Sequence, residues 1–327
     1  MDVSSHLNPP IQIVLAIWDL ADVYNRYAAV TIVSLLENTS SSIEFHLLYD
    51  ELKNNARPAW SENRQKYHEI EKKYGTKIIF HHVSVPEWCS ALPALRFFTL
   101  GALLRLFIPE ILSDLDRVIY LDCDIVVRGD IQSLWDENLG TSCIGARSHV
   151  GKSDFNSGVL LLDLHMMRQN YDLTRSSLQF LSDHLTTPCP DQDALNFVFG
   201  DSYHQLDRKY NLYSEEHSSL SESDIIIHFT WIKPWKIHTD IPANYEFWKY
   251  FMTTPWCDDV SILVKELVAV SDLSPAAQSL YVDHLIILPF GKRLQYFIRS
   301  GLFFVRLNWR ELRAQLGNYI FKFIPWN

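Results

Sequence analysis

Apolar, β-prone runs recur along the first half of the chain at Ile11–Ile17, Ile43–Tyr49, Lys77–Val83, Val118–Leu121 and Ser157–Leu162. Between the early runs, Tyr27–Glu37 and Trp60–Tyr74 space their apolar residues in the manner of helices. Strand-like and helix-like segments that alternate in this way predict an α/β domain around a mostly parallel sheet. Asp130 is placed to cap a short helix running to Trp135. After about Leu206 the regularity weakens. Trp231, Trp235, Trp248 and Trp256 lie around Pro234, Pro242 and Pro255, a pattern that favours a small hydrophobic cluster over a sugar-stacking surface.

The run from Arg117 to Val127 differs from the others because two carboxylates, Asp122 and Asp124, emerge from the end of a buried-looking strand. Residues i and i+2 of a regular strand share a face, so both can converge on one ion. Hard divalent cations prefer carboxylate oxygens and bridge readily to phosphate oxygens, which suits a diphosphate-bearing substrate. Asp114-Leu115-Asp116 and Asp191-Gln192-Asp193 have the same spacing, but neither directly follows such a strand. The competing reading is a turn whose aspartates cap the next segment.

The 327 residues, 47% of them hydrophobic, suffice for a sizeable core in one large domain with an appendage or in two modest domains. No apolar run reaches the roughly 18 to 20 residues needed to cross a bilayer, and Met1–His6 lacks a signal-peptide pattern, so a cytosolic location is expected. Five cysteines without a CxxC pair read as buried reduced thiols. No GxGxxG or P-loop pattern occurs, and with only 11 glycines a phosphate is expected to be held by metal and side chains. The net charge of −10 argues against nucleic acid. Residues 285–327 nevertheless carry seven basic residues, one acidic residue and ten aromatics, a net +6 against −16 for the rest. That contrast is a membrane-surface signature.

In order along the chain, these pieces resemble the retaining glycosyltransferases of family 8, particularly the bacterial lipopolysaccharide glucosyl- and galactosyltransferases. The pieces are Ile13–Asp19, Leu104–Pro109, Tyr120–Val127 closed by Asp130–Trp135, Phe155–Asp163, Asp191–Asn196 and Ile227–Trp235. The resemblance implies a single GT-A type nucleotide-sugar-binding domain in residues 1–250 and a small helical extension in 251–327. It implies that Ala16, Asp19 or Asp22, and Tyr24 contact the nucleoside, that Arg105 reaches the donor sugar or its phosphates, and that Asn156 and Gly158 line the sugar pocket. It implies metal ligation by Asp122, Asp124 and His228, with Lys233 on the diphosphate. In the last motif Trp231 stands where glycine is usual and Lys233 comes one residue early, so the loop is expected to close differently.

The implied reaction moves a hexose, glucose or galactose, from a UDP-sugar to an oligosaccharide or lipid-linked saccharide acceptor, with retention and with Mn²⁺ or Mg²⁺ as cofactor. Gln192 matches the glutamine beneath the anomeric carbon. An amide is a poor nucleophile, so front-face substitution with Gln192 stabilising the cationic sugar is favoured, and Asp191 or Asp193 is the candidate for a covalent route. Asp191 could also merely cap the helix after Pro190. Cys123 points to the other face and packs. If Leu294–Leu316 is helical, Leu294, Ile298, Val305, Trp309, Leu312 and Leu316 share a face flanked by arginines, suited to peripheral attachment at the inner face of the cytoplasmic membrane. Phe303 and Leu307 fall off that face and keep core packing or dimerisation open. Two other function classes remain: an Asp-x-Asp phosphohydrolase, against which Val126 stands where a threonine belongs, and a catalytically silent saccharide-binding protein on the same fold.

Overall fold

A computed structural model describes residues 9–18, 24–50, 58–96, 99–149, 151–235 and 242–258. The chain falls into two units, 1–232 and 233–327.

The first unit is built on β1 (Ile11–Ile17), β2 (Ile43–Tyr49), β3 (Lys77–His82), β4 (Arg117–Leu121), β6 (Ile144–Ser148), β7 (Phe155–Asp163) and β8 (His204–Gln205), with β5 (Ile125–Val127) and β9 (Ile226–His228) forming a separate pair. The seven-stranded sheet runs β3-β2-β1-β4-β7-β6-β8. Four of its six pairings are parallel, and the two antiparallel ones both involve β7. The expected α/β class with a mostly parallel sheet is therefore the one observed. β1 and β4 are apolar on both faces because helices or loops cover both sides, as parallel interior strands require.

Helices pack on this sheet for reasons visible in their residues. In Pro58–Tyr74 the buried residues Trp60, Asn63, Tyr67 and Ile70 recur at helical spacing. Trp60 and Tyr67 both meet Phe80 of β3 edge-on. Tyr24–Asn38 is buried along most of its length, including Thr31 and Ser34. Those hydroxyls serve the outer edge of β5: Thr31 Oγ1 donates to the Ile125 carbonyl at 2.8 Å, and Ser34 Oγ accepts the Val127 N–H at 3.0 Å. A short strand that would otherwise bury unpaired backbone groups is thereby satisfied. Asp130 Oδ1 accepts the Gln132 N–H at 2.9 Å at the start of the Gln132–Trp135 helix, the capping expected of it.

The second unit is described through Lys233–Trp235, the helix Pro242–Phe251 and the turn Pro255–Asp258. Trp248 and Trp256 are buried there, and Trp235 packs on Phe247 with ring centroids 5.2 Å apart, in line with the expected hydrophobic cluster. Trp231, at the end of the first unit, departs from it and is 71% exposed. Among the described residues no helix is long and apolar enough to cross a membrane. Asp19, Asp22 and the segment Leu294–Leu316 lie outside the described residues.

Candidate functional site

β1 and β4 are parallel neighbours from which the chain turns to opposite sides, towards β2 and towards β7. In open α/β sheets such a switch point, at the carboxyl ends of the strands, is where ligands bind. Ala16 is the penultimate residue of β1 there, and its carbonyl accepts from Cys123 Sγ at 3.2 Å, which places the thiol in packing as expected. Tyr24 opens the following helix and meets Tyr27 edge-on.

Asp122 follows β4, and its N–H donates to the Gly158 carbonyl, continuing the antiparallel ladder with β7. β5 starts immediately after Asp124 and pairs with β9 so that Ile125 faces His228, while the Phe229 N–H donates to the Asp124 carbonyl. The strand pairing thus carries a histidine from far along the chain to the two carboxylates. His228 Nε2 lies 3.6 Å from Asp122 Oδ2 and 3.3 Å from Asp124 Oδ1. One ligand atom from each of the three lies within 4.8 Å of the others.

Two oxygens and an imidazole nitrogen suit Mn²⁺ or Mg²⁺ better than a softer metal. Gly158 supplies the space: a Cβ there would stand 2.7 Å from Asp122 Oδ2 and 2.9 Å from His228 Nδ1. The residues present fit a divalent cation.

The two oxygens of Asp122 do different work. Oδ1 accepts from Arg105 Nη2 at 2.7 Å and from the Tyr120 hydroxyl at 2.8 Å, leaving Oδ2 towards His228. Burial holds the Tyr120 phenol well above its ordinary pKa, which keeps it a donor. Arg105 is 6% exposed. Its Nη1 donates to the Ser157 carbonyl at 2.7 Å and to Ser157 Oγ at 3.0 Å, and lies 3.3 Å from Asp191 Oδ2. Burial works against that guanidinium's charge, and Asp122 and Asp191 more than offset it. Arg105 is therefore a charged clamp on the Asp122 carboxylate, and it also stacks on the Tyr120 ring at 4.6 Å.

The triplet Asp191-Gln192-Asp193 opens the helix Pro190–Phe199, and its members part company. Asp191 is buried beside Arg105 and accepts from Ser157 Oγ at 2.9 Å. Burial raises its pKa while Arg105 lowers it, with a net rise. Asp193 turns back on its own chain, accepting from Thr187 Oγ1 and from the N–H of Cys189, the residue that precedes the helix. Gln192 Oε1 accepts from Asn156 Nδ2 at 3.2 Å and from the Ser157 N–H at 3.3 Å. Lys233 belongs to the second unit. The backbone after His228 folds onto Ser214, whose Oγ accepts from Trp231 N–H and Ile232 N–H.

Sequence reasoning missed three participants. Tyr120 shares the face of Asp122 by the same i, i+2 spacing, and Ser157 lies between Asn156 and Gly158, so both had a signal. Asn211, fully buried and bonded to His228 Nδ1 at 2.9 Å and to Asn156 Oδ1 at 3.0 Å, had none.

Comparison with known proteins gives the family of the chain. General stress protein A of Bacillus subtilis is 26% identical over 72% of this chain and 92% of its own length. The lipopolysaccharide 1,3-galactosyltransferase of Salmonella typhimurium is 25% identical, covering 68% of this chain and 72% of its own. The lipopolysaccharide 1,2-glucosyltransferase of Escherichia coli is 27% identical over 73% and 78%. Among solved structures, galactosyltransferase LgtC in complex with donor and acceptor sugar analogues superposes with a TM-score of 0.62 at 23% identity, over 75% of this chain and 96% of LgtC, and so shares the GT-A fold. The model of glycosyl transferase family 8 matches residues 16–239, and the chain belongs to that family.

Proposed function

We propose that this glycosyltransferase moves glucose or galactose from a UDP-sugar to a saccharide acceptor of a cell-surface glycan, with retention and with dependence on Mn²⁺ or Mg²⁺. The observation that carries the reading is the convergence of Asp122, Asp124 and His228 around Gly158 at the carboxyl end of β4. The 1,3-galactosyl and 1,2-glucosyl activities named for the relatives support hexose transfer in lipopolysaccharide synthesis.

A divalent ion bound to these three residues supplies Lewis-acid stabilisation of the departing diphosphate. The protein's part is to hold the ligands ready. Arg105 and Tyr120 fix the Asp122 carboxylate through Oδ1, so Oδ2 needs no rearrangement to bind. Ala16, Asp19 or Asp22, and Tyr24 are assigned to the nucleoside, and Lys233 to the diphosphate as a point charge. Asn156 and Gly158 line the sugar side.

Retention by double displacement needs a free carboxylate below the anomeric carbon. Asp191 is engaged by Arg105 and Ser157, and Asp193 by Thr187 and Cys189, so either would have to break two contacts first. Front-face substitution is the better fit. The acceptor oxygen bonds to C1 as the C1–O bond to UDP breaks, and the acceptor's proton passes to the departing phosphate oxygen. Gln192 steadies the sugar while it carries positive charge.

The basic, aromatic segment 285–327 is assigned to anionic lipid at the inner face of the cytoplasmic membrane, where a lipid-linked acceptor would be met. Salt-sensitive binding to anionic vesicles, lost on removal of 285–327, tests that part.

The reaction itself is tested by UDP release from a panel of nucleotide sugars, with chelator or Mn²⁺, in the parent and in Asp124→Ala. Mn²⁺-dependent release from UDP-glucose or UDP-galactose, abolished in Asp124→Ala, is expected. Equal release with chelator present would refute the metal role, and release from no UDP-hexose would refute the donor assignment. The anomeric configuration of the product, read by NMR, tests retention.

A further inference from the structure

We infer that Asn211 is a positioning residue that couples the metal-binding imidazole to Gln192, an inference that rests on the metal-dependent transfer proposed above. Its side chain is fully buried, and its two ends face different partners: Oδ1 lies 2.9 Å from His228 Nδ1, and Nδ2 donates to Asn156 Oδ1 at 3.0 Å.

The direction of every bond in this chain of amides follows from two backbone groups that can only donate. The Gly158 N–H points at one end of the Asn156 amide at 3.1 Å, so that end is the oxygen. Asn156 Nδ2 therefore faces Gln192. The Ser157 N–H meets the same Gln192 atom at 3.3 Å, which makes it Oε1. At the other end, the Asn156 oxygen already accepts from Gly158, so the Asn211 atom facing it must be Nδ2. Reversing the Asn211 amide would set two oxygens 3.0 Å apart. Asn211 Oδ1 is left facing His228, and the imidazole must carry a proton on Nδ1. Nε2, the nitrogen that faces Asp122 and Asp124, then offers its lone pair to a cation.

Asn211 is itself held from behind. Arg147 of β6 donates through Nη1 to the Asn211 carbonyl and to Glu216 Oε2, both at 2.6 Å, so the backbone carrying the amide is pinned to the sheet. One residue thus selects the ligating nitrogen of His228 and orients Asn156, which in turn holds the oxygen of Gln192.

Two variants separate these roles. Asn211→Ala removes both bonds. Asn211→Asp keeps an acceptor for His228 Nδ1–H but has no donor for Asn156. Mn²⁺ affinity, measured from the EPR signal of free Mn²⁺, is expected to fall by about tenfold or more in Asn211→Ala, the usual effect of losing a partner of a metal-bound histidine. Asn211→Asp is expected to restore Mn²⁺ binding but not kcat, with donor affinity close to the parent's. The ¹⁵N shifts of the His228 ring at pH 8, with and without Mg²⁺, give a readout that needs no variant: Nδ1 protonated is expected. Should Asn211→Ala fail to fold, the isosteric Asn211→Asp and the ring shifts of the parent decide. Nδ1 found unprotonated in the parent overturns the inference, as does parent-like Mn²⁺ binding and kcat in a folded Asn211→Ala. Asn211-dependent Mn²⁺ binding in a parent that releases UDP from no donor would sink the transfer reading and leave the relay standing.

Discussion

Gly158 lies against His228 with no room for a side chain: a Cβ added to it would reach van der Waals overlap with the imidazole ring and stand 2.7 Å from Asp122 Oδ2. The obstruction is spatial, because the glycine sits in the regular ladder between β7 and the residue after β4. Gly158→Ala should therefore displace the ligand set while leaving most of the sheet intact. The expected result is loss of nearly all Mn²⁺-dependent UDP release, together with a destabilisation of about 1–3 kcal/mol from overpacking. Wild-type activity with an unchanged melting temperature would show that the triad does not occupy the arrangement described.

Arg105 donates to Asp122 through Nη2 and to Ser157 through Nη1, with Asp191 within 3.3 Å. A lysine keeps the charge but cannot reach both sides of the fork, so Arg105→Lys is expected to lower kcat and weaken Mn²⁺ binding. Arg105→Met strands two carboxylates and should cost about 3–5 kcal/mol of stability. Adding Asp191→Asn to Arg105→Met should recover part of that loss, because one stranded charge is removed. Strictly additive destabilisation in urea melts would contradict the pairing.

The parts of this architecture legible in the sequence are those decided by local pattern. β1 and β2 begin and end where their apolar runs do, and the helix after residue 58 shows its buried stripe in its spacing. Asp122 and Asp124 stood out because a buried strand precedes them. What was not legible depends on long-range pairing. β5 and β9 are three residues each and too short to announce themselves, yet their register alone brings His228 to Asp124. Asp191 and Asp193 are two residues apart with equal chemistry, and only the fold decides that one faces Arg105 and the other Thr187. Trp231 was misjudged in the opposite sense: a tryptophan expected to pack is exposed, while its backbone N–H donates inward to the buried Ser214 Oγ.

Gln192 is anchored by its oxygen, through Asn156 and the Ser157 N–H, at the first turn of its helix. An interaction with the sugar that strengthens as positive charge develops contributes to the transition state more than to binding of the donor. Gln192→Ala should accordingly lower kcat by about 10²-fold or more while changing donor affinity little. Gln192→Glu is the sharper probe, because a glycosyl-enzyme trapped at that position would show that a carboxylate there reaches the anomeric carbon. A loss confined to donor affinity would assign Gln192 to ground-state binding.

Glu216 sets a pH dependence that belongs to the scaffold behind the site. Its carboxylate accepts from Arg147, from Arg208 Nε at 2.6 Å and from the Tyr213 N–H at 2.9 Å. Burial alone would raise its pKa, but the bonds from Arg147, Tyr213 and Arg208 together lower it to about 2 from an ordinary 4.5. Between those values the unfolded chain binds the proton and the folded protein does not, so stability rises with pH across the window. The contribution is complete above about pH 4.5 and disappears as pH falls through about 2. Glu216→Gln should then cost about 2 kcal/mol at pH 7, where charge-assisted bonds are lost. Its deficit relative to the parent should shrink as the two are compared from pH 5 down to pH 3. Melting temperatures of both proteins along that series give the measurement, and a deficit that stays constant over it would show that Glu216 is not held as the carboxylate. Because Arg147 also holds the Asn211 carbonyl, the variant should weaken Mn²⁺ binding at pH 7 as well, without any contact between Glu216 and the metal ligands themselves.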